Sequence, residues 1–407
     1  MIALFAMIAF VTNLCTPMAT IIKNQGEISN VLAQIGNYGN FVAYLVMGIP
    51  AGMLISKFGY KKTALIGLTV GAIGIAIQWF SGQLDVEQNL GLVFGVYLCG
   101  AFIAGLCMAI LNCVVNPMLN LLGGGGNSGN QLIQIGGVFN SSAAVACYIL
   151  MGALISDATK AKIADATPAL MIALAIFVIA FIVIMFTKIE EPEQAPVELA
   201  LIKGAMSYRH FALGALAIFL YMGIEVGVPN FVQQYLIADG IPAGTVGMLV
   251  AVYWFMMLIG RFVGASIGSK VSSRAMITTV SIATLVLVLF GMYAPTDILV
   301  SFPGVDWGKL ELIWQQIPVG IFSFLLVGLC TSVMWGAIFN MAVEGLGKYT
   351  AIASGIFMTM VFGCAVMMAI QAAVADATSY ITSFWVVVFC AAYLLFYALV
   401  GSKPAKK

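Results

Sequence analysis

The sequence predicts an all-α membrane protein: twelve transmembrane helices in two six-helix halves. Three observations predict it. The 407 residues are 62% hydrophobic and 8% charged, with a mean hydropathy of +1.07, where a soluble domain is roughly 25% charged. Apolar runs of membrane-spanning length follow one another with only short polar breaks. The longest charged stretch, KIEEPEQAPVELALIKGAMSYRH at 188–210, falls mid-chain and leaves six such runs on each side.

A bilayer core of about 30 Å needs about 20 apolar residues per helix. The runs are 2–22, 35–55, 64–80, 92–121, 131–155, 169–186, 211–235, 246–267, 276–293, 313–343, 351–374 and 384–400. In hydrocarbon every backbone group must be satisfied internally, so runs this long are helices, whereas barrel strands would alternate over about ten residues. The expected organisation is a first half at 1–188, a cytoplasmic linker at 189–208 and a second half at 209–407.

Charge sets the expected topology. With both termini cytoplasmic, the inner loops and ends hold 12 Lys and Arg, among them Lys57, Lys61, Lys62, Lys203, Arg209 and Arg274; the outer loops hold 4, Lys23, Lys160, Lys162 and Lys309. That asymmetry favours cytoplasmic termini. All eight cysteines fall inside predicted spans, which marks them as unpaired apolar fillers. The first run continues through Asn13, Thr16 and Pro17 without a cleavage pattern, and it begins so near residue 1 that a short head is expected to precede it.

The halves echo each other, as duplicated transporters do. GLC at Gly105 in span four recurs at Gly328 in span ten, and ALISDAT ending span five recurs as AAVADAT ending span eleven. The glycine run at 123–126 lacks the Lys and Ser/Thr spacing of a nucleotide loop and reads as a turn.

The loop after span two, GMLISKFGYKK, places Lys57, Gly59, Lys61 and Lys62 where a gating or anchoring loop would use them: a tight turn at Gly59 and a basic cluster at the inner face. It resembles the signature of the major facilitator superfamily, with Ser56 where that signature has an acid. Plain positive-inside anchoring accounts for the lysines equally well. Four further segments, GLCMAILNCVVNPMLNLLG, QIGGVFNSSAA, YWFMMLIGRFVG and EGLGKYTAIASG, together resemble the fucose and glucose/galactose permease branch, the sugar:proton symporters of bacteria. That resemblance implies the twelve-helix fold, a location in the bacterial inner membrane and a sugar substrate. The branch carries acids in spans one and four; here Thr16 and Asn112 stand there, and neither carries a proton at physiological pH. A glutamine expected just before Phe139 is replaced by Gly137.

Asn112 and Asn116, four residues apart, share a face of span four, and Pro117 beside them is expected to disturb the backbone. Asn140 in span five, Asn13 with Thr16 in span one, and Asn37 in span two are the other polar candidates of the first half. Trp335, Asn340 and Gln371 are those of the second. Trp335 stands at the repeat position of Asn112, where a ring facing amides would hold a pyranose by stacking and hydrogen bonding. Each amide is also what membrane helices use to bond one another, at about 0.6 kcal/mol per contact.

Two ionisable side chains lie well within the predicted spans, Glu225 and Arg261, and such residues are functional by default. At ~1.5 Å per residue Glu225 lies roughly 20 Å up span seven and Arg261 roughly 10 Å from the inner end of span eight, which predicts that they do not pair. Arg261 then reads as a gate or helix tether. Glu225 reads as the proton-coupling candidate or a sugar acceptor, with Gly223, Gly227 and Pro229 loosening the helix around it. His210, the lone histidine, reads as an interfacial polar residue.

The expected function is transport of a small neutral sugar, a hexose or deoxyhexose, by alternating access with proton coupling. An uncoupled facilitator or exporter is the alternative that Thr16 and Asn112 motivate. No nucleophile motif or metal spacing points to an enzyme, a cofactor or a metal, and no sizeable soluble domain points to a sensor. The expected partners are the sugar, protons and the bilayer, with the chain a monomer that binds no nucleic acid.

Overall fold

The structure, a computed structural model, describes residues 1–24, 35–84, 89–122, 126–154, 162–189, 201–267, 271–306, 309, 311–346 and 349–403. Among them are nine helices long and apolar enough to cross a membrane, and shorter apolar helices at Ile2–Leu14, Gly39–Ile55 and Ile135–Met151 occupy the other three predicted spans. The apolar runs therefore became helices where span-length counting put them. Residues 123–125 of the glycine run and 190–200 of the linker lie outside the described residues.

Spans two and three form one helical run, Ile35–Ser81, bent at Gly59, whose φ of 80° is open to glycine and costly for other residues. The predicted tight turn is thus a kink with little intervening loop. Within the linker, Leu201–Met206 is helical, and Gly204 lies against the ring of Tyr349.

Span ten starts later than its hydropathy indicates. Residues 313–318, assigned above to its helix, belong to an antiparallel hairpin, β1 (Leu299–Asp306) with β2 (Glu311–Pro318), and the helix runs Val319–Val343. Alternation explains the strand: Ile313 and Ile317 pair with Gly304 and Val300, while Leu312, Trp314 and Gln316 are exposed. Phe302 packs on Phe322 of span ten at 6.0 Å between ring centres. Gly304 lies on Thr245 of span eight, where a β-carbon would collide with the threonine side chain.

Span eleven is two helices, Thr350–Met360 and Gly363–Ala377. Gly363 at the break lies so close to the Phe219 backbone of span seven that no larger residue fits. Neither Pro117 nor Pro229 interrupts its helix: Leu90–Leu122 and Arg209–Ala238 run through them. Nor do the glycines of span seven open room for a ligand. Met367 fills the space beside Gly223, and the Gln371 side chain reaches Gly227.

The GLC repeat has a common structural use. At Gly105 the span-four helix touches the backbone of Asn40 in span two, and at Gly328 the span-ten helix touches the backbone of Tyr253 in span eight. Each glycine lets the fourth helix of its half lie against the second. The seven described cysteines are all thiols.

Candidate functional site

Span seven is the most enclosed helix around the centre of the molecule. Residues 220–224 and 226–234 are all buried, and Glu225 between them is only partly so. A helix covered on every face for more than a turn each way has no lipid to show, so the surface Glu225 keeps faces a space between helices.

Around that acid stands a hydrogen-bonded aromatic group. Tyr221, one turn earlier and 1% exposed, is hydrogen-bonded to the Glu225 carboxyl and also donates to the Thr331 carbonyl at 3.4 Å. Tyr253 of span eight donates to the main-chain carbonyl of Glu225 at 3.0 Å and lies 3.2 Å from the Thr331 hydroxyl, where either oxygen can donate. Trp335, half-buried, is tilted against Tyr221 at 6.3 Å and edge-on to Phe357 at 6.4 Å. Spans seven, eight and ten thus bring Glu225 and Trp335 into one cluster through Tyr221, as sequence reasoning did not foresee.

Arg261 bonds across to the first half. It is half-buried, its charge acts on Glu225, Tyr221 and Tyr253, and its Nη1 donates to the Gly137 carbonyl of span five. Glu225 therefore has a partner that the sequence did not reveal, Tyr221.

Across the same seam Tyr148 of span five stacks on Trp254 of span eight at 6.4 Å. The Trp254 ring is 5% exposed, and its indole N–H has no hydrogen-bond acceptor. A buried donor left open next to a cluster of polar groups is what a ligand oxygen fills. Tyr253 and Trp254 are not among the candidates named from the sequence; the signal present was their place in YWFMMLIGR, two turns from Arg261 on the same helix.

The candidate amides of the first half whose side chains are described are bound to protein, whereas the buried amide of Asn40 in span two has no partner. Asn112 donates to the Tyr44 hydroxyl at 2.8 Å, Asn116 to the Asn112 carbonyl at 3.0 Å, Asn140 to the Phe5 carbonyl at 2.9 Å, and Asn13 to the Ala9 carbonyl at 2.8 Å. Asn112 and Asn140 nevertheless remain half-buried. The side chains of Thr16 and Asn37 lie outside the described residues. In the second half Gln371 is 1% exposed, donates to Ser383 at 3.4 Å, and reaches Gly227, half a turn from Glu225.

The remaining candidates are elsewhere. Asn340 is exposed and lines a separate cavity of about 350 Å³ with Ser272, Ser273, Arg274, Met341 and Glu344. Lys61 donates to the Thr187 carbonyl at 2.8 Å, a cation at the C-terminal end of span six. Lys57 lies over the Phe58 ring at 5.3 Å. His210 bridges to the Glu344 carbonyl at 2.8 Å through Nε2.

The model of the Major Facilitator Superfamily matches residues 1–362, and the chain belongs to that superfamily. Among its relatives is the glucose/galactose transporter of Brucella abortus, 30% identical over 98% of this chain and 92% of the relative. The L-fucose-proton symporter of Escherichia coli is 21% identical over 99% of this chain and 92% of the relative. Among solved structures, a Major Facilitator Superfamily transporter in the outward conformation superposes with a TM-score of 0.70 at 20% identity, covering 98% of this chain and 96% of the other. That likeness shows the shared twelve-helix fold; the chain is a multi-pass membrane protein.

Proposed function

We propose that this chain is a transporter, not an enzyme, that carries a small neutral hexose or deoxyhexose with protons across a bacterial inner membrane. The observation that carries the reading is Glu225, the one partly accessible residue between 220 and 234 of span seven, bonded to Tyr221, which packs on Trp335, and to Tyr253, which packs on Trp254 with its open N–H. Aromatic faces, an indole donor and a carboxyl suit the apolar face and hydroxyls of a pyranose. The names of its relatives, a glucose/galactose transporter and a fucose-proton symporter, support the same substrate class.

In this reading residues 1–188 and 209–407 move against each other about the site while 189–208 connects them. Both termini are cytoplasmic and the chain works as a monomer. Asn112 and Asn140 supply donors and acceptors from the first half, with Asn13, Thr16, Asn37 and Asn116 lining the route. Glu225 exchanges the proton, because its carboxyl is the carboxylic acid of this cluster and can carry a proton or give it up.

Uptake of labelled glucose, galactose and fucose into proteoliposomes, with and without an inward proton gradient, tests it. Accumulation that requires the gradient is expected. Equilibration that ignores the gradient would overturn the coupling and favour an uncoupled facilitator, the reading that the loss of acids at Thr16 and Asn112 motivates; no uptake of any of the three would overturn the substrate class.

A further inference from the structure

The glycine contacts that hold each half together also set one half in register with the other. A β-carbon on Gly105 of span four would strike the main-chain carbonyl of Asn40 and the side chain of Ala43; one on Gly328 of span ten would strike the carbonyl of Tyr253 and the side chain of Met256. In both halves, then, the glycine of the GLC repeat meets a carbonyl and the residue three positions on, in span two and in span eight. Asn40 therefore stands in the first half where Tyr253 stands in the second. Along the repeat the same register sets Cys107 on Cys330, Met108 on Thr331 and Asn112 on Trp335.

The two equivalent residues have different surroundings. The Tyr253 hydroxyl lies 3.2 Å from the Thr331 hydroxyl and donates to the main-chain carbonyl of Glu225 at 3.0 Å. Asn40 is 1% exposed, and neither its Nδ2 nor its Oδ1 has a hydrogen-bond partner. The register accounts for part of that difference. At the place of Thr331 stands Met108, fully buried, whose thioether is only a weak acceptor. Nor does Asn40 bond the carbonyl four residues back on its own helix, as Asn13 and Asn116 do. A carboxamide buried in a membrane protein with both ends unsatisfied is costly. A ligand that brings an acceptor and a donor together removes that cost.

We propose that Asn40 is a substrate-binding residue, the first-half counterpart of Tyr253, whose amide takes two neighbouring hydroxyls of the sugar, one at Nδ2 and the other at Oδ1. The inference rests on the reading of the chain as a sugar transporter and adds a residue that this reading does not use.

The chemistry of the amide selects the ligand. It presents a donor and an acceptor side by side and carries no charge. Two vicinal hydroxyls of a pyranose match it, one accepting from the N–H and the other donating to the carbonyl oxygen. An anion would be repelled at Oδ1 and a cation at Nδ2, so the open pair favours a neutral polyol. The surroundings of Asn40 on span two agree. One turn along the same face, Tyr44 accepts from Asn112 at 2.8 Å; two turns along, Gly48 lies against Thr359 of span eleven. That face of span two is thus turned to the second half, and Asn112, at the repeat position of Trp335, continues the polar strip that begins at Asn40.

The full chain in lipid nanodiscs, melted with and without glucose, galactose or fucose, separates a ligand-binding amide from a structural one. Asn40→Leu keeps the size of the side chain and removes both polar ends. Without sugar it is expected to unfold at the wild-type temperature or above it, because no protein group bonds the amide it removes. Sugar that raises the wild-type unfolding temperature is expected to leave that of Asn40→Leu unchanged at the same concentration. In proteoliposomes Asn40→Ala is expected to raise KM about ten-fold, the loss of two hydrogen bonds. Competition by monodeoxy sugars then reads the contact: the wild type is expected to discriminate against deoxygenation at two neighbouring ring positions, and Asn40→Ala to lose its preference at those two alone. If Asn40→Leu fails to fold, the deoxy-sugar pattern of Asn40→Ala decides. An Asn40→Leu that melts lower yet keeps its response to sugar would show that the amide holds a structural water, and would overturn the proposal; so would a KM for Asn40→Ala within two-fold of the wild type, or an unchanged deoxy-sugar pattern. If the wild type neither responds to nor takes up any of the three sugars, the substrate class fails instead and the assignment of Asn40 with it.

Discussion

The two halves share a fold and divide the chemistry. In the first, the described candidate amides named from the sequence give an N–H to protein: Asn112 to Tyr44, Asn116 to its own helix, Asn140 to Phe5. In the second, an acid and three hydroxyls meet within spans seven, eight and ten, and an indole donor is left open. The common scaffold explains how this is possible. Gly105 and Gly328 set the second and fourth helices of each half at the same close approach, so polar side chains can be redistributed between halves without moving the helices.

That comparison breaks first at the glycines. A β-branched side chain at Gly328 or Gly105 drives into a neighbouring backbone, and overpacking of this kind costs roughly 3 kcal/mol. Gly328→Val and Gly105→Val are each expected to lose most of the monodisperse protein in detergent, with lower unfolding temperatures; a large loss in one and none in the other would deny the shared architecture.

Next is the division of labour itself. Glu225→Gln is expected to lower gradient-driven accumulation at least ten-fold while leaving counterflow exchange of sugar, measured in the same proteoliposomes; unchanged accumulation would move coupling elsewhere. Trp254→Phe keeps the ring that stacks on Tyr148 and removes the open N–H. A hydrogen bond worth about 1 kcal/mol predicts a KM several-fold higher with kcat little changed. Asn112→Ala is expected to raise KM by a similar or smaller factor without altering the pH dependence of uptake, since an amide carries no proton. The smallest effect is expected at Asn340. It opens on the cavity of Ser272 and Glu344 rather than on the Glu225 cluster, so Asn340→Ala should change KM by less than two-fold.

How much of this the sequence disclosed follows from which forces act locally. Span positions were legible because the need for about 20 apolar residues is met by composition alone. The β1–β2 hairpin was not, since Ile313, Trp314 and Ile317 raise hydropathy whether strand or helix; only the alternation of Ile313 and Ile317 with exposed Leu312, Trp314 and Gln316 distinguishes the two. Glu225 and Arg261 were legible as individuals, because charge in an apolar run is conspicuous. The bond that Arg261 makes was not, because it depends on the reach of a long side chain and on a glycine 124 residues away. The small residues of span seven pointed to an opened helix, yet they serve tight packing against Met367 and Gln371: a missing side chain in the sequence does not say whether the space is empty or taken.

The hairpin between spans nine and ten offers a practical handle. It is seated on span eight at Gly304 and on span ten at Phe302, and it displays Leu312, Trp314 and Gln316 on its exposed side. A nanobody raised against that face would add rigid mass to the second half alone, giving image alignment a fiducial for following one half against the other.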